Sequence, residues 1–434
     1  MEKDKLLSAP KALLIKSEGF GDGSGFFVKE DLIVTNIHVV AGATSVSAEL
    51  RDSETNLVIK KFPVEGVIAF DAKNDLVMLK ITGAGIPLPI GDSDLLQTGD
   101  TVQIIGYPNG KYGIIKGPMH SIRDSDKWIR MKIKTDIGNS GAPVLNMNGE
   151  VIGIGVGSSD SYSFAIPANV IKILLSPTQE MLPLAQWQKR KQIHAYTYLV
   201  QSQTKRFAAQ KKRSLTLYGE AIADLDKAIQ LYPDYFLFYY SRGSMHRSIG
   251  LSKVEDGDLE GAQHYQNAID DHVKAIKLCP DFALAYDNRG VAKSLLGQSK
   301  FEESNVAGAQ QHYQDAIDDY TEAIRLCANF AIAYNNRAYA KCLLGKSKAS
   351  EDAEMALNLY QEAIIDISTA IKLDSSYAVF HHTKGQIQAA LGDYSAAIED
   401  YEKAIEIDPD YTDVCKDLEL AKKALRQQEK ANLL

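Results

Sequence analysis

Two kinds of hydrophobic patterning divide this chain. In the N-terminal part the apolar positions come as short runs. Asp31-Leu32-Ile33-Val34-Thr35 and Leu76-Val77-Met78-Leu79-Lys80-Ile81 read as strands, the second as a near-continuous buried one. Met131-Lys132-Ile133-Lys134, Val144-Leu145 and Val151-Ile152-Gly153-Ile154 predict further strands, and Asn148-Gly149 between the last two is a hairpin signal. Asn169-Val170-Ile171-Lys172-Ile173-Leu174-Leu175 predicts a helix, and Pro177 and Pro183 break the chain after it.

From about residue 215 the pattern is helical and repeats. Ala221-Ile222 with Ala228-Ile229 recurs as Ala268-Ile269 with Ala275-Ile276 and as Ala316-Ile317 with Ala323-Ile324. It recurs again as Ala363-Ile364 with Ala370-Ile371, and as Ala397-Ile398 with Ala404-Ile405. A seven-residue spacing puts each pair on one helix face, and the alanines permit close helix approach. Between these helices lie turns such as Tyr232-Pro233-Asp234 and Cys279-Pro280-Asp281. Each turn is followed by a second apolar helix that carries Arg242-Gly243, Arg289-Gly290, Arg337-Ala338 or Lys384-Gly385. That helix is expected to end at Gly250, Gly297, Gly345 and Gly392, as C-caps. The pattern resembles the tetratricopeptide repeat, a helix-turn-helix unit of about 34 residues. The step from Ala370 to Ala404 fits that period. The earlier steps are longer, and the extra segments begin alike with Ser252-Lys253, Ser299-Lys300 and Ser347-Lys348. Three repeats with a second helix extended at its N-terminus are expected, closed by a capping helix with a polar outer face.

Composition adds limits. The chain has 434 residues, 45% of them hydrophobic and 24% charged, and a net charge of -8. That balance gives no general reason to expect nucleic acid as a partner. No run approaches a membrane span, and the first ten residues hold two acidic side chains and no long apolar core, so neither a signal nor a transit peptide is read there. Cys279, Cys327, Cys342 and Cys415 all lie in the C-terminal half, where core packing explains them better than disulfides or a metal. Metal-ligand spacing is absent and no cofactor is expected. These features point to a cytoplasmic protein. A basic stretch including Lys189, Arg190, Lys191, Lys205, Arg206, Lys211, Lys212 and Arg213, with Ile193, Tyr196, Leu199 and Val200 at helical spacing, predicts a helix that opens the array and packs against it.

The chemistry lies in three segments of the N-terminal part: Thr35-Asn36-Ile37-His38-Val39-Val40, Asn74-Asp75-Leu76-Val77, and Asp136-Ile137-Gly138-Asn139-Ser140-Gly141-Ala142-Pro143. Each candidate lies at a strand end or in a loop, where distant side chains converge. A serine hydroxyl is a poor nucleophile at neutral pH. It needs an imidazole to take its proton and a carboxylate to fix the imidazole tautomer. Ser140, His38 and Asp75 supply that set in the order His, Asp, Ser. The intermediate's oxyanion needs two backbone N–H groups aimed at one point, and those of Gly138 and Ser140 are assigned to it. His120 is a competing base, but no apolar run precedes it.

These segments, with Gly23-Ser24-Gly25-Phe26-Phe27, Gly106-Tyr107-Pro108 and Ser163-Phe164-Ala165-Ile166-Pro167, resemble a trypsin-like serine protease of the HtrA-like branch over residues 11–175. The resemblance implies two six-stranded β-barrels of chymotrypsin type with the site in the cleft between them. The chain departs from it at Ala142, where a second glycine is common, and in a shorter loop before Ser140. That loop leans toward the bacterial glutamyl endopeptidases, and no PDZ-like segment follows. The specificity pocket is expected near Lys134, Asp136, Gly155, Gly157, Ser163 and Ala165. Asp136 or Asp160 would favour a basic side chain, and a small or apolar preference is equally defensible.

The expected architecture is therefore a multidomain β plus α protein. It comprises a protease domain at 1–178, a basic helical linker at 179–214, an all-α solenoid of tetratricopeptide repeats at 215–409 and a capping helix at 410–434. The expected activity is cleavage of a protein substrate through an acyl-enzyme, with the repeats recruiting the substrate or an activating protein. The rival expectation is an interaction scaffold whose protease-like domain is inactive or switched off. Oligomeric state is left open.

Overall fold

The computed structural model describes residues 12–122, 128–133, 135–136, 138–158, 163–176, 180–255, 257–258 and 260–432. Two compact units divide at Phe238 and Tyr239.

The first unit begins with two antiparallel six-stranded barrels. Strands β1 (Leu13–Ser17), β2 (Asp22–Lys29), β3 (Leu32–Asn36), β4 (Val46–Arg51), β5 (Val58–Asp71) and β6 (Leu76–Ile81) form the first. β5 closes it: its early residues pair with β4 and its later ones with β6, so one long strand turns the corner. Strands β7 (Thr101–Gly106), β8 (Gly113–Ile122), β9 (Ile129–Met131), β10 (Pro143–Leu145), β11 (Val151–Ser158) and β12 (Ser163–Pro167) form the second, closed by β10 on β7. The strands expected at 31–35, 76–81, 144–145 and 151–154 are present, and Gly149 makes the hairpin turn with φ +80°. A strand expected at 131–134 falls two residues earlier, as β9.

One apolar cluster joins the barrels. Phe26, Val34, Leu76 and Met78 of the first meet Tyr107, Leu145, Ile154 and Ile166 of the second. Burying side chains of this size contributes roughly 1.5–3 kcal/mol each. A second cluster, with Val102, Ile104, Met119, Ile129 and Val144, fills the second barrel alone. The helix Asn169–Leu175 follows, as expected. A two-residue strand β13 (Leu182–Pro183) then adds to β5, and the helices Leu184–Trp187, Lys191–Lys212 and Leu215–Leu231 complete this unit apart from the start of the next helix.

The second unit is built of antiparallel helix pairs. Phe236–Glu255 pairs with Gly261–Leu278, Ala283–Glu302 with Val306–Leu326, Ala331–Lys348 with Ala353–Leu373, and Ala378–Ala390 with Tyr394–Ile407. Asp413–Asn432 closes it, where a capping helix is expected. The last pair has 13 and 14 residues, whereas the pair Ala283–Glu302 and Val306–Leu326 has 20 and 21. The extra length is shared: the first helix also continues past its glycine. Gly392 ends its helix with φ +82°, as a C-cap should. Gly250, Gly297 and Gly345 instead lie inside their helices. A Cβ on them would fall 2.6, 2.7 and 2.6 Å from the rings of Tyr265, Tyr313 and Tyr360. These glycines admit a tyrosine from the partner helix, and this packing overrides the expected cap.

The repeated arginines also have a definite place. Arg242, Arg289 and Arg337 each grip a nearly buried carboxylate of the following helix, Asp271, Asp319 or Asp366, with nitrogen–oxygen distances down to 2.5 Å. Lys384 takes the same position against Asp400 at 2.7 Å. These pairs latch each repeat internally.

Candidate active site

β3 delivers the imidazole. It ends at Asn36, and the four-residue helix Ile37–Val40 carries His38. Asp75 sits in the turn before β6 with φ +57°, a left-handed conformation unusual for a residue with a side chain. Its surroundings hold it there. The Asp75 carbonyl accepts from Ile37 N–H and from the Asn36 amide, both at 3.0 Å. One carboxylate oxygen accepts from His38 N–H at 3.0 Å and the other meets His38 Nδ1. The Asp75 side chain is 2% exposed and that of His38 24%. A carboxylate on Nδ1 assigns the proton to that nitrogen and leaves Nε2 as the acceptor on the open side.

Ser140 lies in a loop stitched to β2. Its carbonyl accepts from Ser24 N–H at 2.7 Å, and the Ser24 hydroxyl donates to the Gly138 carbonyl at 2.7 Å while accepting from Tyr107 N–H at 3.0 Å. Thr35, three residues before His38, donates to the Ser24 carbonyl at 2.7 Å. Gly138 (φ +104°) lies so close to the Tyr107 carbonyl that a Cβ would fall 2.3 Å from it. At Gly141 a Cβ would meet the Ser24 carbonyl at 2.1 Å. Gly23 separates the side chain of Val39 from the Ser140 carbonyl: a Cβ there would be 2.5 Å from the first and 3.2 Å from the second. The loop of Ser140 and the helix of His38 therefore border the same glycine. Among the described residues, the N–H groups of Gly138 and Ser140 donate to no protein acceptor, which leaves them available to an oxyanion.

The Ser140 hydroxyl is engaged by a backbone carbonyl of β11. It donates to the Val156 carbonyl at 3.0 Å, and no hydrogen bond joins it to His38 among the described residues. A bulge in β11 between Gly155 and Gly157 sets Val156 out of the ladder and makes its carbonyl available. Sequence reasoning missed Asn36, Thr35, Ser24 and Val156. The Gly23-Ser24-Gly25 triplet was the available signal, since small residues on either side of a serine permit the close approach of a second chain segment.

The residues expected to wall the pocket are scattered. Lys134 and Asp160 lie outside the described residues. Asp136 is exposed, and its carbonyl accepts from Asn139 N–H at 3.4 Å. Gly155 is tied into the serine loop, accepting from Gly141 N–H and donating to the Ala142 carbonyl, both at 2.8 Å. Gly157 faces open space. Ser163 is buried, with its hydroxyl donating to the Ile133 carbonyl at 2.6 Å and meeting Thr135 Oγ1 at 2.9 Å. Ala165 packs into the second-barrel core. Of this set Gly155 and Gly157 flank the serine, whereas Ser163 and Ala165 belong to the interior. His120 lies on β8, where burial and the charges of Arg130 and Lys132 depress its pKa. Among the described residues no cluster of three or more His, Cys, Asp or Glu could hold a metal, and no helix is long and apolar enough to cross a membrane.

Residues 23–154 match the family model described as Trypsin-like peptidase domain, and residues 378–411 match that of the Tetratricopeptide repeat. The chain thus carries a trypsin-like peptidase domain joined to a tetratricopeptide repeat. Among relatives, it is 35% identical over 167 residues to a probable periplasmic serine endoprotease DegP-like of Chlamydia trachomatis, covering 35% of this chain and 32% of that protein. It is 36% identical over 164 residues to the protein of the same description in Halomonas elongata, covering 34% and 33%. The chain spans about a third of the length of these relatives. Similar solved structures include the active form of the Rv3671c protease of M. tuberculosis, with 23% identity, a TM-score of 0.36, and coverage of 40% of this chain and 83% of that one.

Proposed function

We propose that the chain is a serine endopeptidase in which Ser140 is the nucleophile, His38 the general base and then acid, and Asp75 the carboxylate that orients His38. The observation that carries this reading is the fixed His38–Asp75 pair, with the serine loop stitched to β2, the neighbour of the strand that leads to His38. In the reaction, the Ser140 hydroxyl leaves the Val156 carbonyl, gives its proton to His38 Nε2 and attacks the scissile carbonyl carbon. The oxyanion is held by the N–H groups of Gly138 and Ser140. His38 then protonates the departing amine, and water attacks the acyl-enzyme by the same route in reverse.

The repeats recruit the protein substrate or an activating protein. Tethering raises effective concentration, so a shallow cleft can still be selective. A cytoplasmic location fits the four free cysteines, of which Cys279, Cys327 and Cys342 are buried. The relatives, by contrast, are named periplasmic.

The rival reading, a scaffold with a switched-off protease domain, is favoured by the hydrogen bond that turns Ser140 toward Val156. A search for new protein termini in cells separates the two. Termini present with the wild type and absent with Ser140→Ala support the peptidase, and identical sets of termini support the scaffold.

A further inference from the structure

We propose that residues 182–197, which lie beyond the two barrels, form a brace that holds the His38–Asp75 pair in register, with Gln188 and Tyr196 as its positioning residues. The inference rests on the reading of His38 and Asp75 as base and orienting carboxylate.

The brace has two arms. The first is Gln188, directly after the helix Leu184–Trp187. Its side-chain carbonyl accepts from Gly42 N–H at 2.8 Å and its amide donates to the Val40 carbonyl at 2.8 Å. The helix that carries His38 is only four residues long, so it leaves C-terminal carbonyls without intrahelical donors. One amide side chain supplies both a donor and an acceptor where the next turn would have been. Gly42, at φ +83°, permits the approach: a Cβ there would fall 2.7 Å from the Thr197 methyl and 2.5 Å from Phe20.

The second arm is Tyr196. Fully buried, it donates its hydroxyl to the Ala72 carbonyl at 2.8 Å, in the turn that ends in Asp75. Burial raises its pKa far above the ordinary value, so the hydroxyl keeps its proton and remains a donor.

The seat of the brace is the strand that leads to Asp75. Leu182 and Pro183 pair with Val67 and Gly66 of β5, where a Cβ on Gly66 would fall 2.4 Å from the Leu182 carbonyl. Trp187 meets Phe70 edge-on at 6.1 Å, and Arg190 lies over the same ring at 5.2 Å. Both arms thus end on the segments that flank the dyad. Simple packing of a helix on a barrel would need apolar contacts alone. A two-way amide clamp after the base and a hydroxyl anchor before the carboxylate restrict orientation, and a shift of about 1 Å at a catalytic group costs on the order of a hundredfold in rate.

The test uses the full chain with Gln188→Met, which keeps the bulk and removes the hydrogen bonds, and Tyr196→Phe. Turnover of a small ester, normalised to titrated active sites, should fall about tenfold to a hundredfold in kcat with KM little changed. Unchanged kcat with only a lower Tm would assign these residues to stability and overturn the proposal. A second arm is independent of turnover. In the Ser140→Ala chain, the downfield proton resonance of His38 Nδ1–H should broaden or vanish in both variants. Its persistence unchanged would overturn the brace even where the peptidase reading holds. A wild type that turns over no ester and takes no serine probe would sink the peptidase reading, and the resonance would still decide on the brace.

Discussion

At the residue scale, the asymmetry between Asp75 and His38 matters most. The carboxylate is buried and accepts from two groups, while the imidazole keeps an open edge. This is the division of labour a base and its orienting partner require. Replacing Asp75 by Asn would present an N–H or a weaker acceptor to Nδ1 and favour the wrong tautomer. The expected result is a drop in kcat of roughly 10⁴ with KM nearly preserved, measured on the same ester. The pairing of His38 with Asp75 was legible in the sequence because each carries its own local motif. The parking of Ser140 on Val156 was not, since it depends on a single bulged residue in β11 that no periodicity marks. Ser163 and Ala165 illustrate the same limit. Alternation along β12 decides which side chains face inward, and register with β9 and β11 fixes that alternation.

At the element scale, the repeat helices are spaced by glycine against tyrosine. A Cβ at Gly297 would collide with Tyr313, so Gly297→Val should destabilise the pair by about 1–3 kcal/mol. Combining it with Tyr313→Leu should recover part of that loss, as read by denaturant midpoints in a double-mutant cycle. Additive losses would contradict the packing account. Helical periodicity gave the helices themselves, but a glycine that packs and one that caps look alike in one dimension. Gly297 packs on Tyr313 within its helix, whereas Gly392 faces open space and ends its helix with φ +82°.

The same helices bury two titratable groups with opposite effects. Burial, with Arg247 and Arg289 nearby, lowers His272 to about 3, while burial raises Asp287 to about 6 against the opposing influence of Asn336 and Arg247. As pH falls below the ordinary histidine value of about 6.5, the unfolded chain takes a proton that folded His272 refuses, so stability is lost. As pH falls through about 6 toward 4, folded Asp287 takes a proton that the unfolded chain does not, so stability is gained. His272→Phe leaves only the second effect. Protection factors of the Gly261–Leu278 amides should therefore rise in that variant between pH 7 and 5. Asp287→Asn should make the same amides lose protection more steeply than in the wild type. The opposite slopes would refute the assignment.

At the scale of the whole molecule, the chain joins a double-barrel fold to a repeat array without any disulfide among its four cysteines. Three thiols are buried and Cys415 is exposed. A thiol reagent should find one fast group in the native protein and three more only on unfolding. Two or more fast groups would mean that the repeats do not close their cores as described. The change of period near residue 215 made the two-part construction visible from sequence. The brace of residues 182–197 was not visible, because its members are ordinary linker residues and only their contacts with β5 and the loop after His38 give them meaning.

The account stands on Ser140 being a hydroxyl that His38 can activate. The direct measurement is mass mapping of the intact chain after exposure to a phosphonate that labels activated serines. A single adduct on Ser140, lost in His38→Ala and in Asp75→Asn, is the predicted result. An unlabelled Ser140 in a folded chain, or an adduct that survives removal of the imidazole, would contradict it.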